Sequence, residues 1–167
     1  MWNDIKGPVI AETAYESGQL VGKDVEVELP GLEFLTTSVQ AMGNMDIPLI
    51  GLLENMEMKI VKIGIDKGLG QINKLKPLKF EFRWVQDVVK SDGTVKSEGC
   101  KAFVKAIPLK TPSLGVKVGE ATEAETTYTV TRMQIYCNGD EYLCVDRLSG
   151  ILRVAGTDYY TDISSLL

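Results

Sequence analysis

Leu78-Lys-Phe-Glu-Phe-Arg-Trp-Val-Gln-Asp87 sets Leu78, Phe80, Phe82 and Trp84 against Lys79, Glu81, Arg83 and Asp87. Successive side chains of a strand point to opposite faces, so this stretch predicts a strand with one buried and one wetted side. Glu54–Ile63 repeats the pattern, with Met56, Met58 and Ile60 against Asn55, Glu57 and Lys59. In Leu20–Leu29, read as a single strand, Val25, Val27 and Leu29 stand against Asp24, Glu26 and Glu28. No catalytic motif accompanies any of the three. A chain built from such ribbons suits a wall or scaffold better than a reaction pocket.

Working outward, residues 1–14 carry Trp2, Ile5, Val9 and Ile10 without periodicity and read as an arm or a short first strand. Residues 15–167 read as one β domain. Leu32–Val39 is extended, and Ala41–Leu52, rich in Gly, Met, Asn and Pro, reads as a long excursion loop. Leu69, Ile72 and Leu75 recur three apart, which predicts one short helix over Asp66–Leu75 ended by Pro77. Asp92-Gly93 and Asn138-Gly139 are hairpin signals. Lys101–Ile107 returns as a strand stopped by Pro108, and Lys110–Thr122 reads as a loop. For the hairpin at Asn138-Gly139, a three-residue loop with a left-handed glycine brings Met133, Ile135, Leu143 and Val145 to one face, whereas a two-residue turn separates them. The first is favoured. Asp158–Leu167 ends in a helical tail. The sum is seven or eight antiparallel strands with one helix against them, a mainly β sandwich or barrel.

Composition narrows the function. The 167 residues are 44% hydrophobic and 25% charged, ordinary for a globular domain, and the net charge of −5 opposes a surface built to grip nucleic acid. No apolar run approaches the roughly 20 residues that span a bilayer. The N-terminus lacks the basic start and apolar core of a secretory signal, so the expected compartment is the cytoplasm where the chain is made. The sequence has no histidine, which removes the commonest general base and most catalytic zinc sites. No phosphate-binding loop is evident, because Gly64, Gly68 and Gly70 lack the full spacing and read as turn glycines. No cofactor or metal is expected. Cys100, Cys137 and Cys144 read as structural free thiols, since a hairpin at Asn138-Gly139 holds Cys137 and Cys144 too far apart to bridge.

The order of several short motifs resembles the major tail tube proteins of contractile phages. They are Gly18-x-x-x-Gly22, Val25-Glu-Val-Glu-Leu-Pro30, Leu32-Glu33, Gly43-Asn-Met-Asp-Ile-Pro48 and Gly51-Leu-Leu-Glu54-x-Met56-Glu57. After them come the strand with Arg83, Gly119-Glu120, the strand Tyr128–Tyr136, the Asn138-Gly139 hairpin, and Asp146-x-x-Ser-Gly-Ile-Leu-Arg153-Val-x-Gly156-x-Asp158. The likeness covers residues 15–167; residues 1–14 and the loop 108–118 depart from it. It implies a hexameric ring in which each subunit gives strands to a shared inner β-barrel. Stacked rings form a tube within a contractile sheath. The fold also serves headless, bacteriocin-like tails (tailocins) and the tube of type VI secretion. Implied partners are further copies of the chain, sheath, baseplate and tail-terminator proteins, DNA passing without specific binding, and a target membrane. The implied location is a virion tail or tailocin particle assembled in the cytoplasm.

Under that resemblance the polar faces supply candidates for the lumen: Glu26, Glu28, Asn55, Glu57, Lys59, Lys79, Glu81, Arg83 and Asp87. Met42, Met45, Asp46, Ile47, Pro48, Leu49 and Ile50 are too apolar for a solvated loop and are candidates for contacts between subunits or rings. Two rival readings remain open. One is a monomeric β-barrel that binds a small ligand among Phe80, Phe82, Trp84, Met56 and Met58. The other is a carboxylate hydrolase, for which Asp140-Glu141 and the pair Asp158 and Asp162 are the weak candidates.

Overall fold

A computed structural model describes residues 4–167; Trp2, assigned above to the N-terminal segment, lies outside the described residues. Among these residues the chain forms twelve strands and two short helices. The strands are β1 (Ile5–Glu16), β2 (Gln19–Lys23), β3 (Glu26–Glu28), β4 (Phe34–Gln40), β5 (Asn44–Leu53) and β6 (Glu57–Ile63). After helix α1 (Lys67–Ile72) come β7 (Leu78–Val89), β8 (Val95–Lys110), β9 (Glu123–Cys137), β10 (Asp140–Asp146), β11 (Ile151–Val154) and β12 (Thr157–Asp158), and α2 (Thr161–Ser165) closes the chain. The fold is mainly β, and every strand pairing is antiparallel.

The sheet runs β12-β11-β10-β9-β8-β7-β1-β2, with β6 also on β9 and β3 on β6. Because β2 leads directly into β3, the path β3-β6-β9-β8-β7-β1-β2 turns back on itself as a barrel wall. The corner is Asp24, at φ +54°, where the predicted single strand over 20–29 divides: Lys23 still pairs with Thr13 of β1, but Glu26 pairs with Val61 of β6. The alternation that suggested one strand spans this break because parity survives a corner. Of the two readings of the N-terminal segment, the first strand holds among the described residues. Ile5–Glu16 is one strand on β7, from Ile5 opposite Val89 to Glu16 opposite Phe80, and it crosses the expected boundary at residue 14.

Inside the wall, Met56, Met58, Ile60, Phe80, Phe82, Val104, Tyr128, Val130 and Met133 are almost wholly buried. Of the residues offered to a ligand, Phe80, Phe82, Met56 and Met58 are packed core, and Trp84 is half-buried: Phe80 stacks on Phe82 at 5.7 Å and meets Tyr128 edge-on at 5.1 Å. Helix α1 covers this core with Leu69 and Ile72. Its N-cap Asp66 accepts the Leu69 N–H at 2.9 Å. The helix stops before Leu75 because Asn73 turns its side-chain amide back onto the Leu69 carbonyl, at 2.9 Å, in place of a further turn.

Two other expectations change. Pro108 does not end β8: the strand takes the ring at an irregularity between Pro108 and Lys110, opposite Tyr128 and Thr127. The Asn138-Gly139 turn has two residues, both with positive φ (52° and 84°), the pattern of a type I′ hairpin. Met133, Ile135, Leu143 and Val145 nevertheless share a face, because a bulge at Tyr142 restores the register, with Leu143 opposite Ile135 and Val145 opposite Met133. Cys144 thus faces Gln134 and not Cys137, and all three thiols are free. The helical tail is present as α2.

The Tyr128 hydroxyl, wholly buried, donates to the Ile72 carbonyl and fastens α1 to the barrel. Tyr128→Phe leaves that carbonyl unpaired and is expected to cost about 1–2 kcal/mol in urea unfolding, with an unchanged m-value.

Candidate functional site

The segment Ala41–Leu52 is not an irregular loop. It is the turn and second strand of a two-stranded sheet, β4–β5, that stands apart from the barrel. Met42 (φ +53°) and Gly43 turn the chain, and Gln40 faces Asn44 across the turn. One face is polar and self-satisfied: Ser38 donates to Asp46 at 2.6 Å and Gln40 bonds Asn44. On the other face Val39 sits opposite Met45 and Thr37 opposite Ile47, with nothing packed over them among the described residues. Met45, Ile47 and Ile50 are exposed, Leu49 is half-buried, and Met42 at the tip is fully exposed. Of the predicted contact residues, Asp46 and Pro48 belong to the polar side, since they pair with Ser38 and Thr36. A two-stranded ribbon with one uncovered apolar face is marginal alone in water.

The hairpin continues the wall. β3 and β6 pair below it, β4 and β5 above, and the Glu54 N–H bonds the Glu33 carbonyl between them at 2.8 Å. Its root is clamped from the side. Arg147, past the end of β10, donates through Nη1 to the Glu54 carbonyl at 2.8 Å and through Nη2 to the Leu53 carbonyl at 2.9 Å. Ile163 of α2 lies where a side chain on Gly51 would begin, 3.0 Å from that position, so the C-terminal helix rests against the same root.

The predicted lumen residues fall into two separate sectors of the outer wall. Glu26, Glu28, Glu57 and Lys59 lie together on β3–β6 with Glu123 and Glu125 of β9, since Glu28 faces Lys59, and Val61 lies between Glu26 and Glu125. Lys59 approaches Glu125 at 3.9 Å. Asn55 precedes β6 and donates to Glu57 at 3.4 Å. This sector is acidic. Lys79, Glu81, Arg83 and Asp87 lie instead on β7, where Lys79 faces Lys105, which faces Arg132, and Arg83 faces Lys101. Arg83 is held by Glu81 at 2.7 Å and Arg132 by Asp146 at 3.1 Å. Among the described residues Lys79, Lys101 and Lys105 have no carboxylate partner, so this sector is basic. Like charges directly opposite on neighbouring strands repel. Period-two parity put both sets outside the barrel, but parity cannot tell which side of the barrel a strand occupies.

Between β1 and β3 the wall is open. Beyond Thr13, the β1 edge away from β7 has no strand partner among the described residues. A cavity of about 380 Å³ there is lined by Val9, Glu12, Val25, Val27, Leu29, Phe82 and Trp84. Neither Glu12 carboxyl oxygen is solvated, and among the described residues neither makes a hydrogen bond of normal geometry, the Val25 amide being the nearby donor. Burial pushes the acid up to about 7, the Val25 amide pulling against that shift and the Asp24 charge adding to it. Sequence periodicity missed Glu12, because β1 has irregularities at Lys6/Val9 and Val9/Ala11 that break the alternation. Asp140 and Glu141 form no acid pair: Asp140 is exposed at the turn, and Glu141 is taken by Arg153 at 2.5 Å, which holds its carboxyl below the usual range.

Two outcomes are expected. Arg147→Ala should speed amide exchange in β4 and β5 while β7 and β8 keep their protection. A folded-state pKa raised above the unfolded value favours folding most while the acid is protonated, and the advantage is lost as pH rises through the window from about 4.5 to 7. Glu12→Gln should therefore gain stability over the parent at pH 8 relative to pH 5, as read by urea midpoints.

With this geometry in view, the comparisons are specific. The family model described as phage tail tube protein FII matches residues 11–167. The fold is similar to a chain in the sheath-tube complex of the extracellular contractile injection system PVC in its extended state. The two are 15% identical, with 77% of this chain and 90% of that chain covered, at a TM-score of 0.50. A chain in the sheath/tube terminator of the same system matches at 14% identity, 77% and 95% coverage and a TM-score of 0.49. A third, in the anti-feeding prophage tube-terminating cap, is 15% identical, with 75% and 87% covered and a TM-score of 0.47. No curated protein matches the sequence.

Proposed function

The chain belongs to the phage tail tube protein FII family, and from that premise we propose that it forms hexameric rings whose stacking makes the inner tube of a contractile tail. The observation that carries this reading is the β4–β5 hairpin. Its apolar face, with Val39, Met45 and Ile47, is covered by nothing among the described residues, and exposed apolar surface of this kind marks a contact. The neighbouring subunit or the next ring is the occupant that a tube supplies. The open β1 edge supports the same reading, because joining edge to edge removes unpaired backbone groups.

The role we infer is structural: the family is one of tube proteins, and the work is to hold a channel open. One subunit can turn only one sector toward a central channel. The acidic sector of Glu26, Glu28 and Glu57 suits DNA, since a basic lining would hold phosphates in a salt-dependent way. Lys79, Arg83, Lys101 and Lys105 then face outward or sideways, toward a neighbouring copy or the sheath. A terminator and a baseplate cap the two ends. In a phage the tube conducts DNA after assembly in the bacterial cytoplasm; in a headless tail it punctures the target membrane.

Negative-stain microscopy with light scattering on the purified chain tests the central claim. Rings or hollow tubes are expected, and a monomer that persists at high concentration with the other tail proteins present overturns it. Removing Gly43–Pro48 should leave a folded, soluble subunit that no longer builds tubes; intact tubes would discard the hairpin's role. Replacing Glu26, Glu28 and Glu57 with Lys should spare assembly yet slow DNA ejection, and an unchanged ejection rate at physiological salt would remove those residues from the lumen.

A further inference from the structure

We propose that Cys100 and Cys137 are a redox pair that closes into a cross-strand disulfide when the folded protein passes from a reducing to an oxidising medium. The sheet register brings them together. Cys100 of β8 is directly opposite Cys137 of β9, although 37 positions separate them in sequence. The Asn138 N–H bonds the Gly99 carbonyl at 2.9 Å, the flanking bond of a non-hydrogen-bonded pair. Facing Cα atoms in such a pair lie about 4.5 Å apart, within the roughly 4.4–6.8 Å that a disulfide spans. Both side chains point to the concave side, and the two Sγ atoms are in contact at 2.7 Å.

The surroundings give the two sulfurs different parts. Cys137 is half-buried, and Gln86 Nε2 reaches its Sγ at 3.1 Å. The same amide lies 3.4 Å from Glu98 Oε2, whose other oxygen takes Lys6 at 3.4 Å. Cys100 is buried, and burial with the adjoining sulfur pushes its thiol up to about 12. Cys137, the more accessible of the two sulfurs, is therefore the attacking thiol and buried Cys100 the resolving one. With oxidised glutathione as oxidant, the Cys137 thiolate attacks one glutathione sulfur and releases one glutathione thiolate. Cys100 then gives its proton to water and attacks the Cys137 sulfur, which releases the second glutathione. Two protein thiols are oxidised, and one glutathione disulfide is reduced to two thiols. The second step is the slow one, because Cys100 is the buried sulfur and must lose its proton before it attacks.

Cys144 is the internal control: it is buried opposite Gln134, away from both other sulfurs. The link joins β8 to β9 at the end of their ladder and does not depend on ring formation. The reducing interior of a cell keeps the pair open, and release from the cell removes that restraint.

The test exposes folded protein at neutral pH to oxidised glutathione, quenches it with an alkylating reagent and maps the peptides by mass. Expected are a Cys100–Cys137 peptide, a transient glutathione adduct on Cys137, and Cys144 left for the alkylating reagent. The melting temperature should rise by about 5–10 °C, and the rise should vanish with dithiothreitol. C100S should stop at the Cys137 adduct, and C144S should behave as the parent. Parent protein alkylated at all three cysteines, or held indefinitely as the Cys137 adduct, overturns the proposal. The parent chain alone decides this, so a variant that fails to fold does not spoil the test.

Discussion

Strand β9 is the constraint on which the architecture depends. One edge pairs with β8 over most of its length, while the other takes β6 along Glu123–Thr129 and then β10 along Arg132–Cys137. A buried strand cannot leave backbone donors and acceptors unpaired. The handover between β6 and β10 is therefore made without a gap: the Val130 N–H bonds the Met56 carbonyl, and the Thr131 carbonyl takes the Arg147 N–H. A register irregularity opposite Lys105/Ala106 turns Tyr128 and Val130 inward on one side of it and Met133 and Ile135 inward on the other. Barrel, β10–β11 extension and hairpin root all take their positions from this strand.

Much of the core was legible in the sequence because it is periodic. Leu78, Phe80 and Phe82, and Met56, Met58 and Ile60, are buried as their alternation required. What escaped is what periodicity does not encode. Asp24 breaks a strand without disturbing parity. Pro108 sits at an irregularity, where a missing N–H is tolerated. Tyr142 is absorbed as a bulge, so the right four residues meet through a turn of the other type. The hairpin β4–β5 reads as loop because Gly43, Pro48 and Gly51 weaken its strand signal, although Val39, Met45 and Ile47 still share a face.

The site was legible only in part, for a related reason. Alternation identified Glu57 and Lys79 alike as outward-facing, but their separation around the wall depends on β9 and β8 standing between β6 and β7. Only the folded order resolves one mixed lining into an acidic and a basic sector. The thiols follow the same logic: the short spacing of Cys137 and Cys144 is visible along the chain, whereas the meeting of Cys100 with Cys137 is a property of register.

The continuity of the hairpin with the barrel also fixes how the subunit bears load. A pull on the tip runs down two covalent strands into β3 and β6, and Arg147 braces the junction against bending. It then meets the β6–β9 ladder lengthwise. The hydrogen bonds from Glu57–Thr129 to Ile63–Glu123 are strained together and not peeled one after another. A projection made from the wall's own strands can transmit thrust without a hinge, whereas a flexible loop at the same place would yield first.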